Sequence, residues 1–248
     1  MRTVRACVSV AAFFAVASLA LAAPINQVDY FTLTGTGLIT FDDVAGGAAP
    51  GTNYDAIFES GEADLAERFV GQTLSYSGDF DVLSGLPGGP LALQIGAPGE
   101  NLSVYDSFGT HILTGLGPKG FPDYEAIGEG SFAVLFDFDQ SEFGFQLVGG
   151  NAGTATLDFF QRDGSLIDTI VLPGLGSAYY GFSRDGGIKD IAGVSVYNND
   201  SAGIGVDNIL HDVPGVTGEV PEPATLVLVG LSGLVGYGWR RRRRVVSA

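Results

Sequence analysis

The chain has few of the residues that build disulfides, metal centres and anion-binding surfaces. Its 248 residues include one cysteine, one tryptophan, two histidines and twelve lysines and arginines. The single cysteine, Cys7, lies in an apolar N-terminal run, so the rest of the chain can form no disulfide. His111 and His211 are far apart in sequence and have no cysteine to complete a zinc site. Stability must therefore come from a hydrophobic core.

Basic residues are scarce between the two ends of the chain. Arg2, Arg5 and the five arginines at residues 240–244 leave only five basic residues in the segment 23–219. That segment holds 27 of the 28 acidic residues, because only Glu222 lies outside it, and its net charge is -22. Without a basic patch to neutralise phosphates, nucleic-acid binding is excluded. An acidic surface instead favours solubility and attracts divalent cations.

The N-terminus has the three parts of a secretory signal peptide. Two arginines precede an apolar run from Ala6 to Leu19, and Ala20 and Ala22 form a small-residue cleavage site. We predict that signal peptidase cleaves after Ala22, because cleavage one residue later would place Pro24 next to the scissile bond. The apolar run is short for a bilayer span, which disfavours an uncleaved anchor.

The C-terminus combines a rigid tripeptide, a short apolar span and a block of arginines. The tripeptide lies in the motif Val220, Pro221, Glu222, Pro223 and Ala224. Residues 224–239 are uncharged and as a transmembrane helix would reach roughly 24 Å, less than the roughly 30 Å of a hydrocarbon core. The block that follows consists of Arg240, Arg241, Arg242, Arg243 and Arg244. Such a block stays cytoplasmic, so the domain before it faces away from the cytoplasm, and a plain tail anchor fits the same pattern.

Together with the signal peptide, these three features resemble the PEP-CTERM sorting signal of exported bacterial proteins. The resemblance implies that a membrane-embedded exosortase recognises Pro-Glu-Pro and removes the tail, in systems tied to exopolysaccharide production and biofilm. It also implies a transient inner-membrane intermediate and then the cell surface or the extracellular matrix. We therefore divide the chain into a signal peptide at residues 1–22, a surface domain at residues 23–215, and a linker with the sorting signal at residues 216–248.

Glycine is abundant, with 38 residues that lie mostly between short runs of alternating polarity. This pattern predicts many strands joined by tight turns, including strands near Tyr30–Thr34 and Glu142–Val148. Asp163 and Gly164 predict a hairpin turn with positive φ values between two alternating arms. Only Asp64–Val70 predicts a short helix. The fold that these patterns favour is all-β, a single β-sandwich of jelly-roll type.

Residues 131–210 also resemble the β-sandwich that is common in PEP-CTERM surface proteins. This implies a surface binding or matrix domain and transfers no catalytic residue. Carbohydrate binding would use exposed aromatic side chains. The candidates are Tyr54, Tyr105, Tyr124, Tyr179, Tyr180 and Tyr197. Because Tyr179 and Tyr180 are adjacent, one of them should face outward on a regular strand, whereas core packing explains most of the tyrosines equally well.

A structural calcium site could combine the first and last strands of the domain. Asp42 and Asp43 end the first of these strands, and Asp207 and Asn208 lie in the closing strand. In jelly-roll carbohydrate-binding modules these strands are often adjacent and share a calcium ion, so the resemblance implies proximity here. Calcium takes six to eight oxygen ligands. The alternative is that the aspartates cap turns.

Motifs of common enzyme classes are absent. The sequence has no G-x-S-x-G, no G-x-x-x-x-G-K-[ST] and no H-E-x-x-H. Asp79 with Asp81, and Asp137 with Asp139, are each spaced to share a strand face as the acid and base of a glycosidase, although a solvated outer face explains them too. We predict a non-enzymatic protein that binds or builds an exopolysaccharide matrix. The alternative is a secreted glycan-active hydrolase on the same β-sandwich.

Overall fold

A computed structural model describes residues 24–107 and 109–213. These residues form an all-β fold with nineteen strands. The strands are β1 Ile25–Val28, β2 Gly37–Ile39, β3 Thr52–Tyr54, β4 Phe58–Ser60, β5 Ala63–Ala66, β6 Arg68–Phe69, β7 Thr73–Ser77, β8 Phe80–Ser84, β9 Leu93–Gln94, β10 Leu102–Ser107, β11 Thr110–Leu116, β12 Ile127–Gly130, β13 Phe132–Gln140, β14 Glu142–Gly149, β15 Thr154–Phe160, β16 Leu166–Pro173, β17 Ala178–Arg184, β18 Ile191–Asn198 and β19 Ile204–His211. Short 3₁₀ helices lie at Tyr30–Thr32, Tyr124–Ala126 and Asp185–Gly187.

Two antiparallel sheets contain most of the strands. The larger sheet has nine strands in the order β1-β17-β14-β19-β11-β10-β3, with β12 beside β11 and β2 beside β19. The smaller sheet has six strands in the order β16-β15-β18-β13-β5-β4. Two further ribbons pair β6 with β9 and β7 with β8. The two large sheets make a β-sandwich-like fold as predicted, and the jelly-roll arrangement of the strands stays a prediction.

Phenylalanine rings from both large sheets meet in the core. Phe143 of β14 and Phe182 of β17 belong to the larger sheet, and Phe159 of β15 belongs to the smaller. The ring centroids of Phe143 and Phe159 are 6.0 Å apart, and those of Phe159 and Phe182 are 5.4 Å apart. All three rings are buried, and full burial of such a side chain stabilises the fold by about 1.5–3 kcal/mol. This core supplies the stability that disulfides cannot.

A second hydrophobic cluster lies on the other side of the smaller sheet. Phe69 and Leu93 come from the β6-β9 ribbon, and Phe160 comes from β15. The rings of Phe69 and Phe160 are 5.6 Å apart in an edge-to-face arrangement. Beside them, the Gln72 side-chain amide donates to the Ser195 hydroxyl at 3.0 Å. The smaller sheet is therefore covered on its outer face by segments of the chain itself.

The predicted helix at Asp64–Val70 is wrong, because this segment forms β5 and β6. β5 pairs with β4 on one side and with β13 on the other. Ala63 and Leu65 are buried in the core while Asp64 between them is partly exposed, which is strand alternation. Hydrogen bonds to two neighbouring strands and this burial outweigh the helix propensity of alanine and leucine.

The predicted strand near Tyr30–Thr34 is also wrong, because Tyr30–Thr32 form a 3₁₀ helix. Asp29 caps this helix, and its carboxylate accepts a hydrogen bond from the Phe31 N–H at 3.0 Å. A short aspartate side chain that satisfies a free N–H in this way favours a turn over a strand.

The hairpin predicted around Asp163 and Gly164 is present as β15 and β16. Only Gly164 has a positive φ, of 86°, and its N–H donates to the Gln161 carbonyl at 2.9 Å. The prediction of positive φ at Asp163 is therefore wrong, because glycine alone takes the left-handed position in this turn.

No helix within residues 24–107 and 109–213 is long and apolar enough to cross a membrane. The transmembrane span predicted at residues 224–239 lies outside the described residues.

Candidate functional site

The outer face of the larger sheet is defined by the alternation along β14. Phe145 and Leu147 point into the core and are fully buried. Gln146 and Val148 therefore point away from the core, on the outer face of the sheet. Both are partly exposed.

Tyr179 and Tyr180 face opposite sides of β17. The Tyr180 ring lies 5.7 Å from the core ring of Phe145. Tyr179 is 43% exposed and is the Cα partner of Gln146 on the neighbouring strand. The prediction that one of the two tyrosines faces outward is confirmed, and Tyr179 is the outward one.

Two glycines let the first 3₁₀ helix lie on this outer face. A Cβ atom at Gly144 would lie 2.7 Å from Leu33 Cδ1 and 2.8 Å from Tyr30 Cδ2, and one at Gly181 would lie 2.9 Å from Tyr30 Cα. Real Cβ atoms do not approach other atoms so closely, so larger residues would push the helix off the sheet. The Tyr30 hydroxyl also donates to the backbone carbonyl of Asn208 at 2.9 Å. The helix is thus fixed at both its backbone and its side chain.

Three aromatic rings, of Tyr30, Phe31 and Tyr179, form what we term the aromatic platform. Their ring centroids are 5.0–5.3 Å apart in tilted and edge-to-face arrangements. Tyr30 is buried against the sheet, whereas Phe31 is 73% exposed. Mutual contact holds Phe31 and Tyr179 in place although both face solvent, which is typical of a binding surface.

A cavity of about 190 Å³ opens on the same face, beyond Val148. Tyr105 of β10 and Tyr124 of the second 3₁₀ helix form two of its walls, and Thr114 and Gly205 line it from β11 and β19. The Tyr124 hydroxyl donates to the Ala49 carbonyl at 2.5 Å, which fixes the ring across the opening. All of the residues that line this tyrosine-walled cavity are uncharged.

The cavity and the platform adjoin across β14. Val148 lines the cavity, and Gln146 lies two residues away on the same face, about 7 Å along the strand. Tyr179 is the Cα partner of Gln146, about 5 Å across the sheet. The Asn208 side-chain amide donates to Gln146 Oε1 at 2.7 Å, which orients the Gln146 amide between platform and cavity. We call the platform, Gln146, Val148 and the cavity the outer-face site.

A buried carboxylate lies beside Gln146, because Asp207 of β19 is its Cα partner. Asp207 is 1% exposed; its Oδ2 accepts from the Thr110 hydroxyl at 2.9 Å and its Oδ1 accepts from the Asn208 N–H at 2.6 Å. Burial raises the pKa of Asp207 and the nearby Asp42 raises it further, while these two hydrogen bonds lower it. Burial also raises the pKa of the Tyr30 hydroxyl, to which Tyr179 and Asp207 add. Tyr30 therefore stays a neutral hydrogen-bond donor.

The four residues predicted to bind calcium are divided between two places. The first strand, β1, pairs with β17 rather than with the closing strand β19, but β2, which contains the start of the segment that leads to Asp42, is adjacent to β19. Asp43, however, accepts hydrogen bonds from the Ser60 hydroxyl at 2.6 Å and from the Gly61 N–H at 3.0 Å. Asp207 instead accepts a hydrogen bond from the Asn208 N–H. Among the described residues, no three histidine, cysteine, aspartate or glutamate side chains are grouped to hold a metal ion. The calcium site, with Asp42 near Asp207, stays a prediction.

The carboxylates considered for hydrolysis have other partners. Asp81 is 1% exposed and accepts from the Ser131 N–H at 2.9 Å, so the predicted outward face that it would share with Asp79 is wrong. Burial raises the pKa of Asp81 to about 6. In the second pair, Asp139 accepts hydrogen bonds at 2.8 and 3.0 Å from the Arg162 guanidinium. Asp81 is directed inward because Phe80 and Val82, on either side of it, take the more exposed positions.

Sequence reasoning missed Phe31 and the pairing of Tyr105 with Tyr124. The sequence pattern around Phe31 predicts a strand, whereas the Asp29 cap is the local signal that indicates a turn. Tyr105 and Tyr124 were candidates only as single residues. Their meeting at one cavity depends on tertiary structure, for which the sequence has no local signal.

Residues 219–243 match the family model of the PEP-CTERM protein-sorting motif. The chain carries a PEP-CTERM sorting motif. The motif implies that the protein is exported and sorted by an exosortase at the membrane. No curated protein and no solved structure matches the chain. The matched residues lie outside the described part of the chain, as do the predicted cleavage site at Ala20 and Ala22 and Arg244 at the end of the arginine block.

Proposed function

We propose that this PEP-CTERM protein binds polysaccharide at the cell surface or in the extracellular matrix, through the outer-face site and without catalysis. The sorting motif supports export. One observation carries the binding role: exposed rings of Phe31 and Tyr179 adjoin a cavity with uncharged walls, on a segment of net charge -22. Aromatic rings with a few polar groups are the usual composition of ligand sites.

Binding is favoured over hydrolysis by the positions of the carboxylates. A glycosidase needs an acid and a base that face each other across the bound sugar, about 5–9.5 Å apart. Asp81 is buried against Ser131, Asp139 is paired with Arg162, and the cavity beside Val148 has no charged lining residue. Asp207, beside Gln146, is 1% exposed and accepts from the Thr110 hydroxyl, so the described platform and cavity offer the hydrolase alternative no accessible carboxylate pair.

The binding role is tested by measuring how much of the exported protein is retained in the extracellular matrix of the bacterium that naturally produces it. We expect the exported protein to stay with the extracellular polysaccharide and the Phe31→Ala variant to be released into the medium. Tyr76→Ala is the matched control, because Tyr76 is an aromatic residue on the β7-β8 ribbon that is also 54% exposed. Equal retention of the two variants would contradict the proposal. Release of reducing sugar ends from the polysaccharide would support the hydrolase instead.

Processing by the exosortase gives a separate prediction about the two ends. Intact mass analysis of the protein from the cell surface should find neither residues 1–22 nor the arginines at 240–244, because we propose that signal peptidase removes the first segment and the exosortase the second. A surface protein that still carries Arg244 would mean that the tail acts as a plain anchor.

A further inference from the structure

We propose that the ligand of the outer-face site is an uncharged polysaccharide built of pyranose rings. One ring enters the tyrosine-walled cavity and another stacks on the aromatic platform, with the chain crossing Gln146 and Val148 between them. This inference rests on the proposed binding function and specifies the chemical class of its ligand.

Charge selects against the other classes of polysaccharide. The segment 23–219 carries a net charge of -22, so a polymer of uronic acids or sulfated sugars would be repelled at long range. A cationic polymer would be attracted by the whole surface, but the cavity offers it no carboxylate because its lining is uncharged. The hydroxyl group of Tyr105 and the amide of Gln146 are instead suited to sugar hydroxyls.

The volume of the cavity fits a single ring. At about 190 Å³ it is smaller than the roughly 300–1,000 Å³ of pockets that enclose a whole drug-sized ligand. A ligand longer than one sugar must therefore continue outside the cavity, and Val148 leads from it toward Gln146 and the platform. Because Tyr179 lies one strand beyond Gln146, the next sugars of the chain would reach the platform.

The platform is pre-organised for stacking. Phe31 offers an exposed ring that is held by Tyr30 and Tyr179, and Tyr30 is itself fixed by its bond to the Asn208 carbonyl. A ring already held in place loses little conformational entropy when a sugar stacks on it. The C–H faces of a pyranose ring are apolar, so this contact removes apolar surface from water on both sides.

Affinity measurements with polymers of defined charge test the ligand class. The exported protein is titrated calorimetrically with neutral laminarin, mannan, galactan and dextran, anionic alginate and cationic chitosan, and with the polysaccharide of its own host. We expect binding to at least one neutral polymer, with an affinity that does not change between low and high salt, because no charge pair is formed. Alginate should not bind, and any chitosan binding should disappear in high salt.

Variants test the path between platform and cavity, with the neutral polymer that binds. Phe31→Ala and Tyr124→Ala should each weaken the longer oligosaccharides of that polymer by on the order of tenfold, and Tyr76→Ala should leave their affinity unchanged. Phe31→Trp should restore the affinity that Phe31→Ala loses. Short fragments should lose the dependence on Phe31, because they fill the cavity without reaching the platform. Phe31 and Tyr124 are both largely exposed, so replacing them should leave the fold intact.

The outcomes separate the inference from the proposed function. Binding to the host polysaccharide without binding to any neutral polymer would overturn the ligand class and leave the binding role standing. Absence of binding to every polymer, the host's included, would overturn both. A neutral polymer could also bind independently of salt and keep its affinity for both the Phe31→Ala and the Tyr124→Ala variant. That result would overturn the proposed site.

Discussion

The outer faces of the two large sheets differ in how much of their aromatic surface the rest of the chain covers. On the smaller sheet, the β6-β9 ribbon covers the face with a second hydrophobic cluster in which Phe69 packs edge-to-face on Phe160. On the larger sheet, a 3₁₀ helix leaves Phe31 and Tyr179 exposed beside a cavity. Aromatic residues thus serve folding on one face, where they are buried, and remain available to a ligand on the other.

The cavities on the two sides sharpen this contrast. A second cavity, of about 180 Å³, lies between the β7-β8 ribbon and the strands β15 and β18, and Phe80, Tyr197 and Asn199 are among its lining residues. It is nearly as large as the tyrosine-walled cavity, but it arises where a ribbon crosses the sheet. Volume alone therefore does not identify a site, and the adjoining exposed rings make the difference.

The largest expected effect comes from breaking the covered face. Phe69→Ala removes a fully buried ring and should lower the free energy of unfolding by about 3–5 kcal/mol. Phe31→Ala, on the exposed platform, should change it by no more than about 0.5 kcal/mol. Urea denaturation of both variants measures the difference. Similar losses in the two would mean that the faces do not differ as described.

The β7-β8 ribbon should carry a pH dependence through Asp81. Burial raises its pKa to about 6 in the folded protein, above the roughly 3.9 of the unfolded chain. The folded state therefore binds this proton more tightly than the unfolded chain does. The resulting contribution to the free energy of unfolding is full below about pH 4 and is lost as the pH rises through about 6, a loss of about 3 kcal/mol. Asp81→Asn keeps an acceptor for the Ser131 N–H and removes the titration.

Urea denaturation between about pH 4 and pH 7 measures this effect. The Asp81→Asn protein should match the native protein at the acidic end and be more stable at the neutral end, because the native carboxylate is then ionised in a buried position. Parallel stability curves for the two proteins would show that Asp81 does not titrate in this range.

A smaller effect is expected from Gly144→Ala, which acts on the open face. Its new Cβ would displace Leu33 and Tyr30, and with them the platform, at a stability cost on the order of 1–2 kcal/mol. Polysaccharide affinity should fall as well. Gly176→Ala is the matched control, because a Cβ there meets no atom within 4 Å. Equal stability and equal affinity of the two variants would mean that the 3₁₀ helix does not need a glycine beneath it at position 144.

The smallest effect expected is that of calcium. Asp42 and the buried Asp207 repel each other, so a cation between them should raise the melting temperature of the native protein slightly more than magnesium at the same concentration. Replacing Asp207 by Asn should remove the excess. Identical shifts for the two ions, unchanged in Asp207→Asn, would leave only general screening of an acidic surface.

How much the sequence predicts depends on the range of the interactions. The sorting motif is a run of neighbouring residues, and alternation along β17 is local too, so both could be predicted. The Asp29 cap is a local signal for the turn at Phe31, but the place of that turn on the sheet could not be predicted, because it needs the space above Gly144 and Gly181, more than a hundred residues away. The strand at Leu65 likewise depends on its pairing with β13, which competes with its local preference for a helix.

The position of β19 has a mechanical consequence. This strand ends at His211, shortly before the sorting signal, and in the sheet it is paired with β14, β11 and β2. In the membrane intermediate that we predict before the tail is removed, tension would pull along β19, perpendicular to its ladder hydrogen bonds, and so would load many of them at once. β1, at the other end of the domain, is an edge strand bonded to β17 alone in that sheet. The domain is therefore held most firmly at the end by which the tail would hold it.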